Sequence, residues 1–236
     1  IEEKDSLANE SLVFMLVALN GKWKWPIAYF LKKSLSAATL AELILTALSL
    51  TSNSELKVRS ITCDGASVNI SALNKLGCSI YVNNYESIVN TTTIEFLKEY
   101  CPEFQDSKAT ITFIKVIDRL FDFMNSRNPF GKGFHTPINQ NNINALETIM
   151  IEKISFLFSL KTKTGDMLCL SGRRTFICGM ATTVKSIFAV AKDIFSERES
   201  FKYILTYKFS QDYLEIFFSK IRSRHGYNNN PNVLQF

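Results

Sequence analysis

The chain has 236 residues, enough for one large domain or two small ones, and its 46% hydrophobic content indicates a globular rather than a disordered protein. Its 27 Lys and Arg against 22 Asp and Glu give a net charge of +5, a mild basic bias that is compatible with nucleic acid without being evidence for it. The five cysteines are scattered and odd in number, which argues against a zinc site and a disulfide framework, and no apolar run is long enough to predict a membrane span.

The first predicted element is a β-hairpin. The continuous apolar run Leu12–Leu19 is typical of a strand buried on both faces, and the Asn-Gly pair that follows it is a strong hairpin signal. Residues Trp23–Tyr29 alternate as a second strand, in which Pro26 indicates an edge position or a bulge. The two tryptophans of this strand could stack on nucleic-acid bases, but packing in the core or the sheet is favoured.

A helix and a short strand follow the hairpin. Ser36 is the predicted N-cap of the helix. Its apolar residues recur at helical spacing and predict a buried stripe of Leu40, Leu43, Ile44, Ala47 and Leu48. The segment Lys57–Cys63 is predicted as a strand that ends at Asp64. An Asp at the carboxyl end of a strand lies where α/β sheets place their chemistry, although an ordinary Asp-Gly turn is the simpler interpretation.

The middle of the chain is predicted to be helical. Thr110–Met124 is an amphipathic helix with Phe113, Ile114, Ile117, Leu120, Phe121 and Met124 on one side. A further helix at Ile143–Leu160 places Leu146, Ile149, Met150, Ile154, Leu157 and Phe158 inward, and a third contains Val184, Ile187, Phe188, Ala191 and Ile194. Between the first two lies the loop Asn125–Pro137, whose Gly-Lys-Gly lacks the first Gly and the Ser or Thr of a Walker A motif, so a structured linker is favoured.

The last predicted helix carries the strongest functional signal. Ser210 is its predicted N-cap and Asp212 lies in its first turn, where a negative charge meets the positive end of the helix dipole. Its apolar stripe is Leu214, Phe217, Phe218 and Ile221. Glu215 lies on another face, near the basic residues Lys220, Arg222 and Arg224. By itself Glu215 is most simply a solvated charge, and the competing interpretation is a metal-binding carboxylate in a phosphoryl-transfer site.

The segment SQDYLEIFFSKIRSRHGYNNNP resembles the closing segment of P-element-type transposases, especially those that carry a THAP domain. In that family the matching Glu is the last carboxylate of an RNase H-like catalytic triad, which implies that role for Glu215. His225 and Tyr227 stand where the family usually has Gly and Trp. The family match at Ile221–Arg224 supports DNA binding by Lys220, Arg222 and Arg224, which are also close enough to neutralise adjacent phosphates.

The first half resembles the same family through LVFMLVALNGKWKWPIAYFL, SITCDGASVN and LNKLGC. The resemblance implies that Asp64 is the second catalytic carboxylate. The family's first Asp lies on a strand before the Leu12 strand, where Asp5 is a poor candidate, so we expect an incomplete triad in this chain. The family's next strand has no counterpart in Ser79–Thr92.

The resemblance implies an RNase H-like α/β fold, a mixed sheet with flanking helices that is split by a mainly helical insertion. We expect the first half at residues 1–85, the insertion at 86–170 and the second half at 171–236. The implied metal is Mg²⁺ or Mn²⁺, with Asp64 and Glu215 as ligands, because magnesium prefers carboxylate oxygens. The family's insertion also implies GTP as a possible cofactor, with no binding residues assigned.

The expected function is that of a P-element-type DNA transposase, or of a host gene derived from one, acting on DNA in the nucleus. Because the chain starts at Ile1 rather than Met, we expect it to be a fragment or the product of a gene model that lacks the true start. The competing expectation is a catalytically inactive remnant that binds DNA or protein. A GTP-binding regulatory module is a third possibility. A homo-oligomer is possible and no membrane association is expected.

Overall fold

The protein is described from a computed structural model, which describes residues 8, 10–21, 23–78, 108–197, 201–224 and 226. Two strands and six α-helices are present in these residues: β1 Glu10–Val17, β2 Lys24–Lys32, α1 Ala37–Asn53, α2 Ser67–Lys75, α3 Lys108–Met124, α4 Ile143–Phe158, α5 Arg174–Glu197 and α6 Asp212–Ser223. The chain divides into two compact units. The α/β unit comprises residues 1–79 and 208–236, and the helical unit comprises residues 80–207.

The predicted hairpin is confirmed. β1 and β2 pair antiparallel, and the register shifts between Phe14 and Met15, whose partners are Ala28 and Pro26. β2 therefore carries one extra residue beside Pro26, as expected for a bulge that accommodates a residue without a backbone N–H. The prediction that the Leu12 strand is buried on both faces is wrong, because within β1 only Val13 is buried and the other apolar residues are half-buried.

The two tryptophans are exposed, which corrects the expectation that they pack in the core or the sheet. Trp23 exposes 48% of its surface and Trp25 exposes 68%. Packing on the hairpin falls instead to Leu12 and Phe14 of β1, which contact the core, while Phe14 meets Phe30 edge-on with ring centroids 5.7 Å apart. Trp23 lies in the turn and Trp25 lies near it, whereas the hairpin residues that pack against the core, Leu12 and Phe14, lie farther from the turn.

Two helices cover the other end of this hairpin. α1 begins as predicted, since the Ser36 hydroxyl accepts a hydrogen bond from the backbone N–H of Thr39 at 3.0 Å. The stripe predicted for α1 is buried or half-buried along its whole length. Leu40 and Ala41 of α1 form a small core with Ala72 of α2, surrounded by partly buried side chains from the hairpin and both helices. Small residues at this contact let α1 and α2 approach closely.

The predicted strand at Lys57–Cys63 is not observed. These residues form no strand, and most of them are exposed. A strand exists only through its ladder of hydrogen bonds to a neighbour, and within the described residues the sheet contains only β1 and β2. Asp64 therefore follows an irregular segment rather than a sheet strand.

The helical unit has the larger core. Phe123 of α3 and Phe188 of α5 are fully buried and stacked, with ring centroids 5.1 Å apart. The stripe predicted for α5 is buried throughout, and that of α4 is buried except for Ile149, which is 36% exposed. On α3 the buried residues are Val116, Leu120 and Phe123, whereas Ile114 and Phe121 are exposed. The buried face of α3 is thus shifted by about one residue from the apolar stripe predicted for this helix.

α5 is by length and composition long and apolar enough to cross a membrane. This finding corrects the expectation that no apolar run is long enough. Its buried residues instead contribute to the core of the helical unit: Ile177, Ala181, Val184, Ile187, Phe188, Val190, Ala191, Ile194 and Phe195. A helix at the centre of a core needs the same length and apolar composition as a helix that crosses a membrane.

The boundary between the units differs from the expected start of the last segment at residue 171. The polar segment before α5 does not return the chain to the α/β unit, because α5 belongs to the helical unit and the return comes at Lys208. The residues Lys161–Gly172 instead form a turn, closed by hydrogen bonds between Thr162 and Asp166 and between Leu168 and Leu160. Asp5, Ser79–Thr92, His225 and Tyr227 lie outside the described residues.

Candidate functional site

Asp64 lies in the turn that leads into α2, and it is exposed. Its Oδ1 accepts two hydrogen bonds, from the backbone N–H of Ala66 at 2.9 Å and from the side-chain amide of Asn69 at 2.7 Å. These bonds hold the turn and the first residues of α2, which is the ordinary structural role of an Asp-Gly turn. They also fix the orientation of the carboxylate, because one oxygen is anchored to the turn.

The negative charge of Asp64 affects its neighbour in the sequence. Partial burial raises the pKa of the Cys63 thiol, and the nearby Asp64 carboxylate raises it further. Cys63 is exposed as a residue, but its sulfur is surrounded by enough protein atoms to be partly desolvated. Both effects disfavour the thiolate, so the Cys63 thiol is a probe of the charge on Asp64.

Glu215 lies in the first turn of α6 and is exposed. The N-cap of this helix is Gln211, not the predicted Ser210, and the Gln211 side chain makes no capping hydrogen bond. The Ser210 hydroxyl still accepts a hydrogen bond, from the backbone N–H of Asp212 at 3.3 Å. Asp212 and Glu215 are both placed where the helix dipole stabilises negative charge.

The start of α6 is anchored to the hairpin by two lysines. Lys208 donates a hydrogen bond from Nζ to the carbonyl oxygen of Gly21 at 2.7 Å. The ammonium groups of Lys24 and Lys208 lie 4.2 Å and 6.0 Å from the centroid of the Tyr213 ring, within the range of cation–π attraction. This anchor sets the position of the helix that carries Glu215.

Sequence reasoning missed this anchor. Lys24 and Lys208 are far apart along the chain, so no local periodicity or spacing connects them. The available signals were a lysine between two tryptophans and a tyrosine beside Asp212. Neither indicates a partner without the fold.

The basic residues predicted near the end of this helix lie at the C-terminal end of α6. Lys220 and Arg224 are exposed, and Arg222 is half-buried with Nε donating to the carbonyl oxygen of Phe218 at 3.3 Å. Lys220 and Arg222 lie in the last turn, where cations stabilise the negative end of the helix dipole. That local role and phosphate binding are compatible, because Lys220 and Arg224 are exposed.

Asp64 and Glu215 belong to the same compact unit, although the helical unit separates them in sequence. Carboxylate oxygens are the ligands that Mg²⁺ and Mn²⁺ prefer. Among the residues that the structure describes, no group of three or more His, Cys, Asp or Glu side chains could hold a metal ion. Asp64 and Glu215 each have the ligand chemistry that such an ion requires, and neither belongs to a group of three or more such side chains among the described residues.

The loop Asn125–Pro137 is an ordered structure in the helical unit. The buried Ser126 donates from its hydroxyl to the carbonyl oxygen of His135 at 2.7 Å, closing the loop. Gly131 is required there, since a Cβ at this position would lie 2.1 Å from the His135 carbonyl oxygen. Gly133 has φ of 62°, which favours glycine. The two glycines therefore serve the fold of the loop, as the structured-linker interpretation predicts.

Three models of one protein family match the chain. The model of the TNP-like RNase H N-terminal domain matches residues 1–77, and that of the RNase H C-terminal domain matches residues 207–236. The model of the TNP-like GTP-binding insertion domain matches residues 81–137. The first two matches coincide with the two parts of the α/β unit, and the third begins the helical unit.

Two similar proteins agree with these models. The chain is 29% identical to the human DNA transposase THAP9 over 136 residues, which are 57% of this chain and 15% of that protein. The Drosophila P element transposase in its strand transfer complex has a similar structure, with a TM-score of 0.67 at 18% identity. That match covers 94% of this chain and 67% of the Drosophila chain.

Proposed function

We propose that the parent protein of this chain cleaves and joins DNA strands. The premise is that the chain belongs to the P-element-type transposase family and has an RNase H-like α/β fold with a helical insertion. The observation that carries the proposal is that Asp64 and Glu215 lie in one compact unit, formed by both family-matched RNase H segments. We further propose that the 236 residues are part of a longer protein, since the match spans 15% of the human relative.

The reaction that we propose depends on divalent metal ions, Mg²⁺ or Mn²⁺, with Asp64 and Glu215 as two of the ligands. When bound, such ions activate an attacking hydroxyl and stabilise the leaving oxygen of the phosphodiester. For this chain's own residues, the turn hydrogen bonds to Asp64 Oδ1 orient one carboxylate. The Tyr213 anchor orients the helix that carries the other. Preorganised charge of this kind lowers the cost of reaching the transition state.

The substrate that we propose is DNA, bound by the basic end of α6. The strand transfer complex of the Drosophila relative supports DNA as the partner class. Lys220, Arg222 and Arg224 lie within about one helical turn of each other. Clustered cations gain affinity for DNA by releasing its condensed counterions. Because Glu215 is on the same helix, phosphate binding by these residues would bring the DNA backbone near Glu215.

The second candidate is a catalytically inactive remnant that binds DNA or protein. The observation that favours it is the lack of a third acidic ligand among the described residues, because two carboxylates leave a pair of ions under-ligated. The two candidates differ in strand cleavage, and the remnant that binds DNA would share with the enzyme the basic end of α6.

The remaining proposals follow the family. The insertion is proposed to bind GTP, as the description of the matching model states for its domain. A nuclear location and assembly into a homo-oligomer are proposed because the substrate is DNA with two ends to be joined.

A nicking assay on supercoiled DNA with Mg²⁺ or Mn²⁺ tests the proposal. We expect no nicking by the 236-residue chain and nicking by the longer protein encoded by the full transcript. In the longer protein, Asp64→Ala and Glu215→Ala are each expected to abolish nicking while DNA binding persists. Metal-dependent nicking by the 236-residue chain that disappears in Asp64→Ala would contradict the expected need for a third carboxylate. An inactive full-length protein would favour the remnant.

A further inference from the structure

The tip of the hairpin, residues 18–25, exposes both tryptophans of the chain. Trp23 and Trp25 are 48% and 68% exposed, and the sequence contains no other tryptophan. Large aromatic side chains normally bury most of their surface, so two exposed indoles within three residues mark a binding surface. We propose that the hairpin tip binds single-stranded DNA by stacking unpaired bases on Trp23 and Trp25.

The backbone of the tip holds the Trp23 ring in place. The backbone N–H of Ala18 donates to the carbonyl oxygen of Trp23 at 3.1 Å, which closes the turn. The indole then lies over Gly21, where an added Cβ would be 3.2 Å from its Cδ1 atom. Trp25 is paired in the strand register with Leu16 of β1. The Trp23 ring is therefore packed against the turn, and an indole has only two side-chain torsions to fix, so the entropy lost when a base stacks on it is small.

The charge around the tip suits a nucleic acid rather than an apolar protein surface. The tip contains two lysines, Lys22 and Lys24, and no Asp or Glu. Lys24 lies between the two tryptophans, and its ammonium group is 4.2 Å from the Tyr213 ring. Lys208 also lies near the tip, because its Nζ donates a hydrogen bond to the carbonyl oxygen of Gly21 at 2.7 Å. Aromatic faces interleaved with cations are the arrangement that binds bases and phosphates of a single strand together.

Stacking requires bases that are not paired, because the faces of bases inside a duplex are already covered by their neighbours. This requirement selects single strands over duplex DNA at the hairpin tip. The inference deepens the proposed function and rests on it for its biological setting, since cleavage and joining of strands leave unpaired bases at DNA ends. The binding itself depends only on the α/β unit as described.

The two tryptophans allow a direct test. Because they are the only ones in the chain, fluorescence under selective tryptophan excitation reports on the tip alone. The probe is an oligothymidine of about 12 nucleotides, within the length that one such site occupies. We expect saturable quenching by this single strand and little quenching by a duplex of the same length.

Substitutions separate base stacking from other contributions to the affinity for oligothymidine. Trp23→Leu and Trp25→Leu are each expected to weaken oligothymidine binding by about fivefold or more, whereas Trp25→Phe retains most of the affinity because it keeps an aromatic face. The matched control is Tyr29→Leu, which removes an aromatic residue that is 64% exposed on the same strand away from the tip. It is expected to change the affinity little. Circular dichroism of each variant checks that the fold is intact.

Failure of the stacking site can be distinguished from failure of the proposed strand cleavage. Removal of the α6 arginines is expected to lower duplex affinity without abolishing the quenching by oligothymidine. A catalytically inactive parent protein, with quenching by oligothymidine observed in the 236-residue chain, would overturn the proposed reaction and keep the stacking site. Absence of quenching, or Trp→Leu variants that bind oligothymidine as tightly as the native chain, would overturn the stacking site.

Discussion

The two compact units differ in the size of their buried cores and in the candidate functional residues that they carry. In the helical unit, α3, α4 and α5 surround a core of fully buried aromatic and aliphatic side chains such as Phe123, Phe188 and Leu157. In the α/β unit the buried cluster consists of Leu40, Ala41 and Ala72. Yet the α/β unit carries Asp64, Glu215, the basic end of α6 and the exposed tryptophans. The residues to which we assign function lie where packing is thin, because a surface that binds a ligand cannot also be buried in a core.

The first prediction tests this difference as stability. Phe188→Ala removes a fully buried ring that stacks on Phe123, and we expect it to destabilise the helical unit by about 3–5 kcal/mol. Leu40→Ala is expected to cost the α/β unit about 2–3 kcal/mol, at the low end for such a change because most of the side chains around it are only partly buried and can relax into the space. Denaturant unfolding measures the free energies, and hydrogen exchange assigns each loss to its unit.

The matched control is Phe130→Ala, which truncates a ring of the helical unit that is 87% exposed. It should change the free energy of unfolding by less than about 0.5 kcal/mol. Equal losses for Phe188→Ala and Leu40→Ala would remove the contrast between a deep and a thin core.

The same difference explains what could be predicted from the sequence. The buried stripe of α5 and the Ser36 cap were predicted correctly, because helical spacing and capping are local properties. The exposure of Trp25 and the irregular segment before Asp64 were not, because both depend on what packs or pairs with them elsewhere in the chain. On α3 the stripe was misplaced because apolar residues occur on more than one face, as the exposed Ile114 and Phe121 show.

For the site, the resemblance of local motifs predicted roles for Asp64, Glu215 and the basic residues of α6, and both these roles and the convergence of the two carboxylates on one metal ion stay predictions. The Tyr213 anchor could not be predicted, since its two lysines reach the ring from distant parts of the sequence. Motifs therefore indicate which residues carry chemistry, and the fold alone shows what orients them.

The second prediction concerns the basic end of α6. Arg222→Ala combined with Arg224→Ala should lower duplex DNA affinity severalfold and reduce the slope of log affinity against log salt by up to about 1.8, the value for two lost phosphate contacts. The matched control is Lys161→Ala combined with Lys163→Ala, which removes the same charge from two exposed lysines of the helical unit. An unchanged slope in the arginine variant would show that these residues serve the helix rather than DNA.

The third and smallest effect uses Cys63 as a probe of Asp64. Burial and the Asp64 carboxylate both raise the pKa of this thiol, so Asp64→Asn should lower the pKa by removing the second contribution. Below the pKa, a lower pKa means more thiolate and faster alkylation. The rate is measured for the Cys63 peptide by mass spectrometry across pH, with Cys78 as the internal reference. Unchanged Cys63 kinetics would mean that Asp64 carries no charge that the thiol senses.

The central claim is that Asp64 and Glu215 act on one metal site, and a double-mutant cycle of Mn²⁺ binding tests it most directly. Asp64→Asn, Glu215→Gln and the double variant are titrated with Mn²⁺ by electron paramagnetic resonance. If the two carboxylates share an ion, the second substitution should cost little once the first has been made, because coupled ligands are non-additive. Strictly additive losses, or Mn²⁺ binding that neither substitution weakens, would contradict a shared site.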